Sequence, residues 1–164
     1  MRLALACSLV LLLPPSATAE QPEPPPRPPV GDAEAGARAL FDAIVHDEPT
    51  RAADFFFPRD AFLQVKAMAH PERYYDRLQK RFEQDIHALH ASTPELARAV
   101  FERLELVKRG GYVRAGEEGN RLPYWASRHA WLHYSVDGKP KKLELRVLIT
   151  WQERWYVIHL SEIH

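Results

Sequence analysis

The sequence nearly lacks cysteine, with Cys7 as its only one, and it lacks a charge excess, with 22 Lys+Arg against 22 Asp+Glu among 164 residues. If the segment that holds Cys7 is removed during maturation, the mature chain has no thiol. Such a chain excludes disulfides, cysteine nucleophiles and thiolate-held zinc, and it suits an oxidising exported compartment. The neutral balance gives no electrostatic reason to expect nucleic acid or an anionic membrane as a partner.

Long hydrophobic runs are also lacking, because the longest apolar stretch is Leu3–Leu13, which follows the single charge of Arg2. A membrane-spanning helix needs about 20 apolar residues, so this run is too short to cross a bilayer. Ala17-Thr18-Ala19 then supplies the small-residue pattern of a signal peptidase site. The sequence therefore predicts a signal peptide over residues 1–19, a mature chain that begins at Glu20 without a transmembrane segment, and a periplasmic or secreted location.

Proline is concentrated after this site, with six prolines between Pro22 and Pro29. Such a segment favours extended polyproline II backbone, so residues 20–31 are predicted to be a disordered leader. As a function, the leader could be a spacer or the ligand of a proline-reading module. Residues 32–164 show no internal repeat and have the usual length of one domain, so a single domain is predicted there.

Helical signals occupy the first half of this domain. Asp32 is a suitable N-cap for a helix that ends before Pro49, and Pro49 can open a short second helix. We predict a strand over Ala61–Ala67. The clearest helix begins at Pro71, because its apolar residues recur every three or four positions: Tyr75, Leu78, Phe82, Ile86 and Leu89. A further helix is predicted from Pro94, and residues 104–115 are either its end or a hairpin.

The period changes to two after Asn120, which predicts a strand over Trp125–Val136 and then a turn within residues 137–140. A hairpin follows, with its turn at Glu153–Arg154, so that Trp151 would lie opposite Tyr156. One face of this hairpin is wholly apolar: Leu145, Val147, Ile149, Trp151, Tyr156, Ile158 and Leu160. The fold class is therefore predicted to be α+β, with N-terminal helices packed on a curved, mainly antiparallel C-terminal sheet that is cone-like.

The order of these elements resembles a known superfamily. A long helix, a short helix, a third helix after the segment Phe55–Pro58 and a meander that ends in a tryptophan-rich hairpin are similar to the cystatin-like cone fold of the nuclear transport factor two superfamily. That group includes the ketosteroid isomerases and scytalone dehydratases. The resemblance covers roughly Asp32 to Ile163, rests on element order, and carries over no catalytic residue. It implies a curved sheet, a pocket between sheet and helices, and dimerisation through the outer sheet face.

The hairpin face opposite the apolar one has the composition of an interface. Tryptophan, arginine and histidine occur there with few lysines, as at protein interfaces: Trp125, His129, Trp131, Arg146, Trp155 and His159. The alternative is an ordinary half-exposed sheet. We predict from this face an exported domain that binds a small ligand or a protein partner and forms a homodimer.

The alternative function is enzymatic and depends on Arg128. A regular strand would direct Arg128 towards the helices, where it demands a carboxylate or an anionic ligand. Asp85 is the first candidate partner, and Asp54 and Tyr75 are others. A carboxylate in such a pocket could act as a base for an isomerase, dehydratase or hydrolase. We expect no cofactor and no metal, because His129 and His159 lack a third ligand of matching orientation.

Overall fold

The computed structural model describes residues 23–107 and 110–161. Within these ranges, helices precede an open antiparallel sheet, which confirms the predicted α+β class. The helices are α1 (Gly31–His46), α2 (Arg59–Val65) and α3 (Pro71–Ser92). The strands are β1 (Ala99–Glu105), β2 (Tyr112–Val113), β3 (Tyr124–Val136), β4 (Lys139–Trp151) and β5 (Arg154–His159). The predicted signal peptide lies outside the described residues. No helix in the described ranges has both the length and the apolar character needed to cross a membrane.

Capping and spacing account for the helices that were predicted correctly. α1 ends at His46, and Asp47 takes a left-handed conformation with a φ of 58°, which closes the helix end. Pro49 then opens a short 3-10 helix, Pro49–Phe55, as expected. Pro71 occupies the first turn of α3, whose buried stripe follows the predicted spacing: Tyr75, Leu78, Phe82 and Ile86.

Two predictions in the first half were wrong. Residues predicted as the strand Ala61–Ala67 form α2, because Ala61, Phe62 and Val65 share one buried helical face. Only Lys66 forms a bridge, with Asn120. The helix predicted from Pro94 is a short 3-10 segment, Pro94–Arg98, and β1 follows it directly. Within the described part of residues 104–115 neither the helix end nor the hairpin is found, because β1 runs to Glu105, β2 lies at Tyr112–Val113, and each of them pairs with β3 and not with the other.

The sheet has the strand order β1-β3-β4-β5, and β2 also pairs with β3. β3 and β4 are joined by a two-residue turn at Asp137-Gly138, which pairs Leu132 with Leu143 and Ala130 with Leu145. This face packs against the helices. Phe41 of α1 lies 5.4 Å from Tyr134 between ring centroids, and many of the surrounding side chains are fully buried. The burial is the main source of stability for the fold.

The final hairpin departs from the predicted register. Its turn is at Gln152-Glu153, two residues with positive φ, so Ile149 lies opposite Tyr156 rather than Ile158. A bulge follows, because Leu148 pairs with Val157 and the adjacent Val147 pairs with His159. The extra residue on β5 reverses the alternation of side chains beyond it. His159 therefore lies on the helix side, although it was predicted on the outer face.

The segment Phe55–Pro58 holds the helices at the edge of the sheet. Phe56 forms a parallel bridge with Val157, and the Phe57 N–H donates to the Val157 carbonyl at 3.0 Å. The Tyr75 hydroxyl of α3 donates to the Phe57 carbonyl, also at 3.0 Å. These bonds bring α3 alongside β5.

The end of the proline-rich segment contacts the sheet, which the prediction of a disordered leader did not include. The Trp155 indole N–H donates to the Pro28 carbonyl at 3.1 Å, and the Arg27 guanidinium lies over the same indole ring. Arg27 also donates to the Val107 carbonyl at 3.3 Å. Residues 27–28 therefore cover part of the outer face.

Candidate functional site

A groove of about 490 Å³ lies between α3 and the end of β5. One wall comes from successive turns of α3 and the other from the end of β5. Its apolar lining consists of Tyr74, Leu78, Phe82, Ile158 and Leu160. Its polar lining consists of Arg77, Lys80, Arg81, Gln84, Asp85, His159 and Ser161. The groove thus combines an apolar wall with a polar rim, and a concavity that holds both kinds of group is suited to a small molecule.

A smaller pocket of about 140 Å³ adjoins this groove. The two share four lining residues: Tyr74, Leu78, Ile158 and His159. The far side of the small pocket is formed by α2, β3 and the 3-10 turn Glu117–Gly119. Three charged side chains from those elements line it: Lys66, Glu118 and Arg128. The groove and the pocket are therefore neighbours that share one wall, and the pocket carries the charged side chains of Lys66, Glu118 and Arg128.

Lys66 is held in place by a short ladder between α2 and the turn before β3. The Arg121 N–H donates to the Val65 carbonyl at 2.6 Å, and the Ala67 N–H donates to the Gly119 carbonyl at 2.8 Å. The Lys66 amine donates to Asn120 Oδ1 at 2.7 Å and lies 3.4 Å from the Tyr124 hydroxyl. Burial lowers the pKa of Lys66, with a smaller downward effect from Arg128, while Glu118 opposes both.

His159 is half-buried at the junction of groove and pocket. Burial lowers its pKa from 6.5, the nearby Lys66 lowers it further, and Asp85 acts in the opposite direction. The ring is therefore neutral near neutral pH. The sequence placed His159 at an outer-face interface, and the bulge in β5 is the physical reason for its actual position.

The predicted acid–base pair of Arg128 and Asp85 is not formed. Arg128 lines the small pocket and its guanidinium binds the Glu118 carboxylate at 2.5 Å. Asp85 lines the large groove, where it accepts a hydrogen bond from the Ser161 hydroxyl at 2.8 Å and pairs with Arg81 at 3.0 Å. Asp54 and Tyr75 are not the partners of Arg128 either. The carboxylate beside Arg128 belongs to Glu118 on a three-residue 3-10 turn, which no local sequence pattern predicted.

The outer face of the sheet holds a second polar cluster, at half-exposed positions. His129 Nδ1 lies within hydrogen-bond distance of the Glu144 carboxylate, and Arg146 donates to the same carboxylate at 3.3 Å. The hydrogen bond from His129 is the main cause that lowers the pKa of Glu144, with Arg146 contributing. Trp131 is half-buried beside this cluster, and the Lys142 amine lies 3.9 Å from its ring centroid. His129 and Arg146 therefore meet at Glu144 with Trp131 beside them, and their role as an interface stays a prediction.

The other two predicted interface tryptophans are largely covered. Trp155 is 2 % exposed, beneath Arg27 and Pro28. Trp125 is half-buried and its ring centroid lies 5.3 Å from that of Tyr112. The alternation along the strands was predicted correctly for both, but the residues that cover them are distant in sequence.

No group of three or more histidine, cysteine or acidic side chains in residues 23–107 and 110–161 is arranged to hold a metal ion. Comparison of the chain with protein-family models, curated proteins and solved structures gave no significant match. Functional inference therefore depends on the geometry of the site itself.

Proposed function

We propose that this protein is an exported small-molecule-binding domain whose ligand lies in the groove between α3 and β5. One observation carries the proposal: a groove of about 490 Å³ with an apolar wall adjoins a smaller charged pocket, and the two share four lining residues. A single ligand can place an apolar body against Leu78 and Phe82 and a polar end near Lys66. Each apolar contact contributes to the free energy of binding, because burial of apolar surface is worth about 25 cal/mol per Å².

A neutral fluorescent probe, N-phenyl-1-naphthylamine, tests the groove without relying on charge. It should bind with increased fluorescence, and Tyr74→Ala should weaken binding because Tyr74 lines both parts of the site. Loss of about 50 Å² of apolar contact corresponds to about a tenfold weaker affinity.

Tyr112→Ala is the matched control. Tyr112 is also half-buried and also packs on one aromatic ring, that of Trp125, but it does not line the site. Unchanged probe affinity in Tyr74→Ala, or equal loss in both variants, would contradict the proposal.

The second candidate is an isomerase, dehydratase or hydrolase that uses the small pocket. Arg128 and the acidic Glu118 line that pocket together, and the Lys66 amine lies near the Tyr124 hydroxyl, with a pKa lowered chiefly by burial. A desolvated amine can act as a base or as a nucleophile. The test is turnover of a carbonyl or ester substrate by wild type and by Lys66→Met. Loss of turnover in the variant, with probe binding retained, would establish this candidate in place of simple binding.

Export is proposed on the sequence of residues 1–19. The intact mass of the protein produced in a secreting host should correspond to a chain that begins at Glu20. A product that retains residues 1–19, or one that carries lipid on Cys7, would contradict it.

Self-association through the outer face is proposed as the quaternary arrangement. Its support is the half-buried Trp131 beside the cluster of His129, Glu144 and Arg146, a composition typical of interfaces. A relation to the nuclear transport factor two superfamily is also proposed, on the order of helices and strands.

A further inference from the structure

We propose that the ligand is an amphipathic molecule with a singly charged anionic head group, of which medium-chain carboxylates are the simplest class, and that the head group binds Lys66 in the small pocket. This inference rests on the proposed binding function and specifies its chemistry. It follows from the balance of charge in the pocket, the position of the amine, and the wall that the pocket shares with the groove.

The charged groups of the small pocket do not balance. Its side chains include two cations, Lys66 and Arg128, and one carboxylate, Glu118. Glu118 is bound to Arg128 at 2.5 Å. Among the described residues, no carboxylate lies within ion-pair distance of the Lys66 amine. His159 also lines the pocket on the groove side, and burial lowers its pKa, which favours the uncharged ring.

The Lys66 amine is therefore a partly buried cation whose hydrogen-bond partners are uncharged. They are Asn120 Oδ1 at 2.7 Å and the Tyr124 hydroxyl at 3.4 Å. A cation removed from water without a counter-charge is unfavourable, and an anion placed beside it restores the lost electrostatic energy. Glu118 also acts on Lys66, but it is paired with Arg128, so the three side chains leave one net positive charge, which favours a monoanionic head group.

The shape of the site specifies the rest of the molecule. The small pocket, at about 140 Å³, suits a compact head group, whereas the adjoining groove is about 490 Å³. The shared wall of Tyr74, Leu78 and Ile158 leads from one to the other. A molecule with its anion at Lys66 would therefore extend its apolar part along Phe82 and Leu160.

The basic residues on the groove rim have a different role. Arg81 is paired with Asp85 at 3.0 Å, and Lys80 is exposed at the surface. Exposed charges are screened by water and salt, so they contribute to attraction of an anion more than to its retention. This difference allows Lys80 to serve as a control for Lys66.

Decanoate and 1-decanol, which share an apolar chain, test the inference in the full mature protein by displacement of N-phenyl-1-naphthylamine near neutral pH. Wild type should bind decanoate about tenfold or more tightly than 1-decanol, because a hydrogen bond to a charged group is worth about 1.5–3 kcal/mol. Lys66→Met, which keeps the aliphatic stem, should abolish that preference and leave 1-decanol affinity within about twofold of wild type. Lys80→Met should retain the preference.

The outcomes separate this inference from the proposed function. Binding of 1-decanol without a preference for decanoate, or equal loss of the preference in both lysine variants, overturns the anionic head group and leaves the groove as a binding site. Failure of both compounds and of the probe to bind overturns both proposals. If Lys66→Met does not fold, Lys66→Gln provides the same comparison, with retained 1-decanol affinity as the measure of an intact groove.

Discussion

Ser161→Ala tests the contact that joins the end of β5 to α3 and closes one end of the groove. The Ser161 hydroxyl donates to Asp85 Oδ2 at 2.8 Å, and the Asp85 side chain is only 11 % exposed. A hydrogen bond to a charged group contributes about 1.5–3 kcal/mol to the free energy of unfolding. Arg81 pairs with the other carboxylate oxygen at 3.0 Å and stays half-exposed, so Asp85 keeps one partner. We therefore expect a loss of about 1–2 kcal/mol, at the lower end of that range.

The measurement is urea unfolding followed by circular dichroism, with the free energy extrapolated to water, which is appropriate for a single domain. Ser92→Ala is the control, because the exposed Ser92 hydroxyl donates to the Leu89 carbonyl within the same helix at 3.2 Å. That variant should change the free energy of unfolding by no more than about 0.5 kcal/mol. If Ser161→Ala and Ser92→Ala are equally mild, the hydrogen bond to Asp85 does not hold β5 against α3, and the reasoning is refuted.

Three further predictions concern other parts of the molecule. Ile158→Ala should lower the free energy of unfolding, measured in urea, by about 2–5 kcal/mol, because Ile158 is buried in the groove wall. Val100→Ala is the control and should have little effect, because Val100 is 63 % exposed. Similar losses in the two variants would contradict the burial of Ile158. Folding lowers the pKa of His159 below 6.5, chiefly through burial. As the pH falls below 6.5, the unfolded chain therefore binds more protons at His159 than the folded protein does, and the folded protein loses stability. The stability of His159→Gln relative to wild type should therefore increase on acidification, and a difference independent of pH would show that His159 is not desolvated. Trp131→Glu should shift sedimentation from dimer to monomer with unchanged circular dichroism, and a monomeric wild type at high concentration would remove the outer face as an association surface.

The sequence predicted elements wherever a local signal was sufficient. Pro49 and Pro71 marked helix starts that the structure confirms, because proline suits the first turn of a helix. Two-residue periodicity located β3, and the turn at Asp137-Gly138 lies within the predicted residues 137–140. Ala61–Ala67 was misassigned because a seven-residue apolar pattern fits a strand and a helix almost equally well.

Most of the candidate site could not be predicted from local sequence patterns, because it depends on contacts between residues that are distant in sequence. Lys66 is positioned at the pocket by its backbone bridge to Asn120 and by the hydrogen bond from its amine to Asn120 Oδ1. No local sequence pattern predicts that pairing. His159 was assigned to the outer face because a regular strand was assumed, whereas one extra residue in β5 reverses the alternation. Trp155 was expected to be exposed, but Arg27 and Pro28 cover it from the other end of the chain.

The position of the ligand is the most direct test of the account. Backbone amide chemical shifts of the protein, recorded while decanoate is added, report which surface contacts decanoate. We predict saturable changes at Lys66, Tyr74 and His159, which line the proposed site, and unchanged signals for Trp131 and Lys142 on the outer face. Changes confined to Trp131 and Lys142, or no saturable change at Lys66, Tyr74 and His159, would contradict the assignment of the groove as the binding site.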